Sequence, residues 1–345
     1  MKVAVVNDSK LAAESLRKVV ADSGRHQIAW IAEDGAEAVR QCTRERPDII
    51  LMDLIMPGMD GVEATRQIMA RTPCAIVVVT ASVAGNAAKV FEAMGAGALD
   101  AINTPILGLN GDGAGHGALL HKIDMVARLI EAPKRIARVQ TEPVPNPCAA
   151  PGGCPTLIAI GASTGGPSAL QALLAPLPAS LPAAIVIVQH VDEQFARSFA
   201  EWLNEQTALE VRLAQSGDRP RPGQVLVAGR EDHLVVTPGG ALEYQPEPAD
   251  YAYRPSVNVF FESVARHWRG RAVGVLLTGM GRDGGSGLLA MRQAGCHTVA
   301  QDQASSAIYG MPKAAAELGA AVDILALAAI GPALLKTITQ PLKAQ

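Results

Sequence analysis

Three residues in the second half of the chain are of the types that acyl transfer needs: Ser163, His190 and Asp283. A serine hydroxyl can attack a carbonyl when a neighbouring base takes its proton. An imidazole serves as that base when a carboxylate holds its tautomer and offsets its charge. Ser163 lies in Gly161-Ala-Ser163-Thr-Gly165, which fits the G-x-S-x-G elbow, a sharp strand-to-helix turn that exposes a serine hydroxyl. Pro167 suits the first turn of the helix that follows. Backbone N–H groups of that turn, beginning with Thr164, point where an oxyanion would form. In this reading His190 takes the serine proton and returns it to the leaving alkoxide, while Asp283 orients the imidazole.

The elements that must position these residues are short apolar runs. Ile158-Ala-Ile-Gly, Ile185-Val-Ile-Val and Val273–Thr278 each end abruptly in polar or glycine-rich residues. Such runs read as buried parallel strands, and open α/β sheets carry their sites at the carboxyl ends of those strands. The order Ser, His, Asp differs from the Ser, Asp, His order of α/β-hydrolases, which argues against a lipase-like fold. Two other readings stay open on the residues alone. The glycine-rich turn could cradle a pyrophosphate in a nucleotide-binding α/β enzyme, although Gly161-x-x-x-Gly165-Gly166 is not the GxGxxG spacing and Gln189-His190 supplies no acid. A non-catalytic docking regulator is the other, and it would have no use for these three residues at compatible strand ends.

Composition bounds the classes. A chain of 345 residues with 49% hydrophobic content, 33 glycines and few aromatics suits two α/β domains with aliphatic cores. The net charge of −3 and the absence of a basic stripe or helix-turn-helix pattern argue against nucleic-acid binding. The apolar start, Met1 to Asn7, is too short for a signal peptide, and no apolar run reaches a membrane span. A cytoplasmic protein without membrane insertion, and a monomer, is expected. The five cysteines (Cys42, Cys74, Cys148, Cys154, Cys296) form no CxxC pair and are expected to be free thiols.

The first 131 residues alternate strand and helix patterns five times. Strands are expected at Lys2–Asn7, Gln27–Ala32, Asp48–Met52, Ala75–Thr80 and Ala98–Ile102, and helices at Lys10–Ser23, Gly35–Arg46, Gly61–Ala70, Ala84–Met94 and Leu119–Glu131. Ser9 can cap the first helix and Pro47 stops the second. Five βα units imply a doubly wound sheet, and in the flavodoxin-like order the ends of strands one and three meet at the switch point. Asn7, Asp8, Asp53, Thr80 and Thr104 lie at the strand ends. Residues 108–117 form a glycine-rich insertion expected to be a flexible loop. The Pro- and Ala-rich residues 132–155 read as a linker, leaving 156–345 as the second domain.

Leu51-Met-Asp53-Leu-Ile-Met-Pro57-Gly-Met-Asp60-Gly61 resembles the response-regulator receiver family. That resemblance implies that Asp53 accepts a phosphoryl group from a histidine kinase, and that Asp8, Asp53 and the Ile55 carbonyl hold Mg²⁺. It also implies that Thr80 follows the phosphoryl group. Receivers carry two adjacent acids after strand one and Lys-Pro after strand five; here Asn7-Asp8 and Thr104-Pro105 stand in those places. A lysine there would add a charge-assisted bond of roughly 1.5–3 kcal/mol, so Thr104 weakens the expected coupling to conformational change.

The second half resembles the chemotaxis protein-glutamate methylesterase (CheB-type) family. The matching stretches are Gly161-Ala-Ser-Thr-Gly-Gly166, Gln189-His190, Arg254-Pro-Ser-Val257, Leu277-Thr-Gly-Met-Gly-Arg-Asp283-Gly284, Ala300-Gln-Asp302 and Tyr309-Gly-Met-Pro312. The resemblance implies a Ser163-His190-Asp283 triad, an oxyanion hole helped by the Met280 backbone, and no cofactor for the ester reaction. It also implies a substrate of glutamyl methyl esters on the cytoplasmic domain of a methyl-accepting chemoreceptor, with glutamine deamidation as a related activity. In the family an unphosphorylated receiver covers the catalytic edge and phosphorylation uncovers it. The altered receiver further suggests a branch that resembles the Wsp-type surface-sensing systems.

Overall fold

The computed structural model describes residues 1–83, 85–105, 115–131, 155–249, 251 and 253–339. The glycine-rich stretch and the linker expected from sequence lie largely outside these residues. The chain splits into two compact units, Met1–Ala137 and Arg138–Gln345.

The first unit is a five-stranded parallel sheet built from β1 (Lys2–Val6), β2 (Gln27–Ala32), β3 (Ile49–Met52), β4 (Ala75–Thr80) and β5 (Asp100–Asn103), in the order β2-β1-β3-β4-β5. Every residue of β3 and β4 is buried, as continuous apolar runs between helical layers must be. Around the sheet run α1 (Lys10–Asp22), α2 (Gly35–Arg44), α3 (Gly61–Arg71), α4 (Ala87–Gly95) and α5 (His116–Glu131). Ser9 caps α1 by accepting from the Ala12 N–H, and Asp34 and Asp60 cap α2 and α3 in the same way. The fourth helix begins at Ala87, later than expected, and Ala84 is outside the described residues. The fifth strand begins at Asp100 rather than Ala98, because the Ala98 N–H bonds back to Ala93 O and closes the end of α4.

The second unit is a seven-stranded sheet in the order β14-β13-β12-β6-β7-β9-β8, with every neighbouring pair parallel. Its strands are β6 (Thr156–Ala162), β7 (Ala183–Gln189), β8 (Glu210–Leu213), β9 (Gln224–Val227), β12 (Ala272–Leu276), β13 (His297–Gln301) and β14 (Asp323–Leu325). An antiparallel pair, β10 (His233–Val236) and β11 (Leu242–Gln245), stands apart as a second small sheet that the sequence patterns did not suggest. The helices are α6 (Gly166–Leu174), α7 (Glu193–Glu205), α8 (Val257–His267), α9 (Gly285–Gln293), α10 (Met311–Glu317) and α11 (Leu327–Thr339). The core joins Leu157, Val186, Phe260, Phe261, Leu276 and Leu288, all without exposed surface. Each such side chain contributes roughly 1.5–3 kcal/mol on burial, which fixes the central strands and so the residues at their ends.

No helix among the described residues is long and apolar enough to cross a membrane. Cys42 and Cys74 are free thiols, but Cys296 is disulfide-bonded, which corrects the expectation that all five are free. Sequence spacing carries no information on which thiols folding brings together.

Candidate functional site

The three strands at the centre of the second sheet converge on one edge. Ala162 of β6 pairs with Gln189 of β7, so Ser163 and His190 are the next residues on adjacent parallel strands, whose spacing is about 4.8 Å. β12 flanks β6 on the other side, and the Ser163 N–H donates to Thr278 O at 3.1 Å just past its end. Thr278 fastens this corner further. Its hydroxyl donates to Thr164 O at 2.9 Å and accepts from the Ile308 N–H at 2.9 Å.

The elbow is built by glycines for two physical reasons. Gly165 sits at φ +77°, a left-handed conformation that a side chain disfavours, and caps the start of α6. Gly279 allows close approach: a Cβ there would lie 2.9 Å from the Ser163 Cβ and 2.2 Å from Met311 Sδ. Gln189, fully buried, donates to both Ser163 O (2.9 Å) and His190 O (3.1 Å) and so holds the two strand ends in register.

Asp283 joins His190 as expected: His190 Nε2 lies 2.8 Å from Asp283 Oδ2. The carboxylate is also embedded in the start of α8. Oδ2 accepts from the Val257 N–H at 2.7 Å, and Oδ1 accepts from Ser256 Oγ at 2.8 Å and the Asn258 N–H at 3.0 Å. Burial alone would raise the Asp283 pKa. The bond and charge of His190 together with the backbone N–H groups outweigh it and hold the carboxyl below its usual range. The positive end of α8 adds to this preference for the ionised form. Ser256, the N-cap of α8, stands in Arg254-Pro-Ser-Val257, a stretch whose sequence carries no sign of a bond to Asp283.

With Nε2 engaged, Nδ1 is the His190 nitrogen left for Ser163. It is buried and has no partner among the described residues. The Thr164 and Met280 N–H groups, the two expected oxyanion donors, likewise donate to no other group among the described residues. The hydroxyl of Tyr253 is buried nearby, and its ring lies flat against His190.

In the first unit, Asp53 follows β3 and Asp8 follows β1, at the switch point of the sheet. Asp53 Oδ1 accepts from the Leu54 and Ile55 N–H groups at 2.7 and 3.3 Å. Burial raises the Asp53 pKa against those bonds, and the charge of Asp8 adds to the rise. Two carboxylates close enough for the charge of one to raise the pKa of the other are the hard oxygen donors a divalent cation takes, so Asp8 and Asp53 fit Mg²⁺ by their chemistry. Asn7 is buried, and its Oδ1 accepts from the Ser9 N–H at 2.9 Å. Thr80 is buried and its hydroxyl accepts from Asn86 Nδ2 at 3.1 Å; the Thr104 N–H donates to Thr80 O at 2.8 Å.

The profile of the family described as CheB methylesterase matches residues 158–334, and that of the response regulator receiver domain matches residues 3–107. The chain belongs to the CheB methylesterase family. A relative from Burkholderia lata named protein-glutamate methylesterase/protein-glutamine glutaminase 2 is 57% identical, covering 99% of this chain and 100% of its own. One from Pseudomonas aeruginosa bearing the same name with the number 3 is 55% identical over 97% of this chain and 98% of its own. The crystal structure of the Thermotoga maritima CheB methylesterase catalytic domain is 29% identical, covers 54% of this chain and all of that one, and superposes with a TM-score of 0.51.

Proposed function

We propose that this protein is a phosphorylation-regulated protein-glutamate methylesterase, acting on the cytoplasmic domain of a methyl-accepting chemoreceptor, with glutaminase activity on the same class of site. The observation that carries the reading is the Asp283–His190 bond at the strand edge beside Ser163, in a chain that matches named methylesterases along nearly its whole length.

Ser163 Oγ attacks the ester carbonyl as His190 Nδ1 takes its proton, with Asp283 stabilising the imidazolium through Nε2. The tetrahedral oxyanion is met by the Thr164 and Met280 N–H groups. Collapse breaks the bond to the methoxy group, which leaves as methanol with the proton from His190. Water then attacks the glutamyl-Ser163 ester, giving its proton to His190, and release of glutamate returns that proton to Ser163. A glutamine substrate follows the same course and releases ammonia.

Residues 1–131 form the receiver, 132–155 the linker and 156–345 the catalytic domain. Asp53 accepts the phosphoryl group from a histidine kinase, and Asp8, Asp53 and the Ile55 carbonyl would hold Mg²⁺. When bound, that ion neutralises charge on the transferring group. Thr80 and Thr104 are the switch positions, and the Thr80 hydroxyl, which accepts from Asn86, keeps its own proton to donate to a phosphoryl group.

The test is methanol release from methylated receptor by the full chain, with and without a small phosphodonor and Mg²⁺. Activity that Ser163→Ala abolishes and Asp53→Ala makes insensitive to phosphodonor is expected. A wild-type protein that releases no methanol under either condition sinks the assignment, and phosphodonor-independent activity sinks its regulated half.

A further inference from the structure

The ring of Tyr253 lies over the imidazole of His190 with centroids 4.1 Å apart and planes within 8° of parallel. Among the described residues a single hydrogen bond, from Nε2 to Asp283, holds the imidazole. One such bond fixes where that nitrogen lies but leaves the ring free to swing about the N···O direction, carrying Nδ1 toward or away from Ser163. A flat neighbour at van der Waals distance removes that freedom, because rotation of either ring drives it into the other. Tyr253 also reaches the other side of the site: its hydroxyl oxygen lies 3.7 Å from where a Gly281 Cβ would stand, beside Met280.

We infer that Tyr253 is a positioning residue for the hydrolysis, holding the plane of His190 so that Nδ1 faces the nucleophile. The inference rests on the methylesterase reading. The ring, rather than the hydroxyl, does this. The hydroxyl is buried and has no partner among the described residues, so no hydrogen bond from it anchors the side chain. Burial, with a smaller contribution from the charge of Asp283, pushes the phenol pKa up, so the group stays neutral throughout the working range.

The experiment compares wild type, Ser163→Ala, Tyr253→Leu and Tyr253→Phe as full-length proteins on methylated receptor, with thermal melting beside the kinetics. Leucine keeps the site apolar but removes the flat ring. Tyr253→Leu is expected to lower kcat 10- to 100-fold, the order of loss that roughly 1 Å of misplacement brings, with KM nearly unchanged. Tyr253→Phe keeps the stack, should restore most of that kcat, and should melt above wild type because it removes an unsatisfied buried hydroxyl. Should Tyr253→Leu match wild type in kcat, or Tyr253→Phe fall as far as Tyr253→Leu while still folded, the inference is overturned with the methylesterase reading intact. A wild type as inert as Ser163→Ala overturns the reading and this inference together.

Discussion

Ser256 Oγ donates to Asp283 Oδ1 at 2.8 Å, on the carboxylate oxygen opposite the one that holds His190. The Ser256 Oγ also caps α8, accepting from the Val259 N–H at 3.4 Å. Ser256→Ala therefore removes a helix cap and an orienting bond in one change. A stability loss of about 1 kcal/mol is expected from the cap, with kcat down about tenfold as Asp283 loses one restraint. Chemical denaturation and methanol release measure the two separately; an unchanged kcat would reduce Ser256 to a cap.

Gly279→Ala places a Cβ against Met311 Sδ and the Ser163 Cβ. The flexible methionine can move, but the elbow backbone cannot without shifting the nucleophile. Overpacking of roughly 1–3 kcal/mol is expected, with kcat reduced at least 100-fold. In Gly279→Ala/Met311→Ala the melting temperature should partly recover while kcat does not. Recovery of both would place the clash at Met311 alone.

Asp283 is a carboxyl whose folded pKa is depressed. Its contribution to stability is thus full above the unfolded value of about 3.9, and is lost as pH falls through the lower folded value. Below about pH 4 the stability difference between wild type and Asp283→Asn should shrink. At neutral pH the amide leaves His190 in the wrong tautomer, and kcat should fall on the order of 10⁴-fold.

Asp53 has the opposite sign: burial raises its folded pKa. Its stabilising balance is full below the unfolded value near 3.9 and is lost as pH rises through the folded value, so the ionised group burdens the receiver at pH 7. Asp53→Asn should raise the melting point of the receiver transition at pH 7, and the gain should vanish near pH 4. Mg²⁺ should raise the wild-type transition and leave that of Asp53→Asn in place, since the variant lacks one of two charged donors. Calorimetry over pH with and without Mg²⁺ reads both effects.

The placing of Ser163 beside His190 was legible because each closes an apolar run, and parallel strands deliver their carboxyl ends to one edge; Asp283 reaches His190 from a glycine-flanked loop past the end of β12. Asp53 was legible for the same reason, from the run that becomes β3. Boundaries failed where hydrogen bonds rather than side-chain pattern decide them, as at Ala98, whose N–H completes a helix end. The small β10–β11 sheet was missed because β11, Leu242–Gln245, alternates apolar and polar residues over only four positions, too few to read as a period. Tyr253 carried no signal: nothing in Tyr251-Ala-Tyr253-Arg254 marks one tyrosine as the neighbour of a histidine on a distant strand. Thr278 and Gln189 stood inside recognised motifs, yet their cross-links exist only once β6, β7 and β12 are side by side.

The Asp283 carboxylate draws its hydrogen bonds from the first turn of α8, so secondary structure and reactivity share one set of contacts. Heating cannot unravel that turn while sparing the acid, nor dislodge the acid while sparing the turn. Loss of turnover and loss of the helical signal of the second unit should therefore follow a single curve, and a folded catalytic unit with Asp283 displaced from α8 should not accumulate on heating.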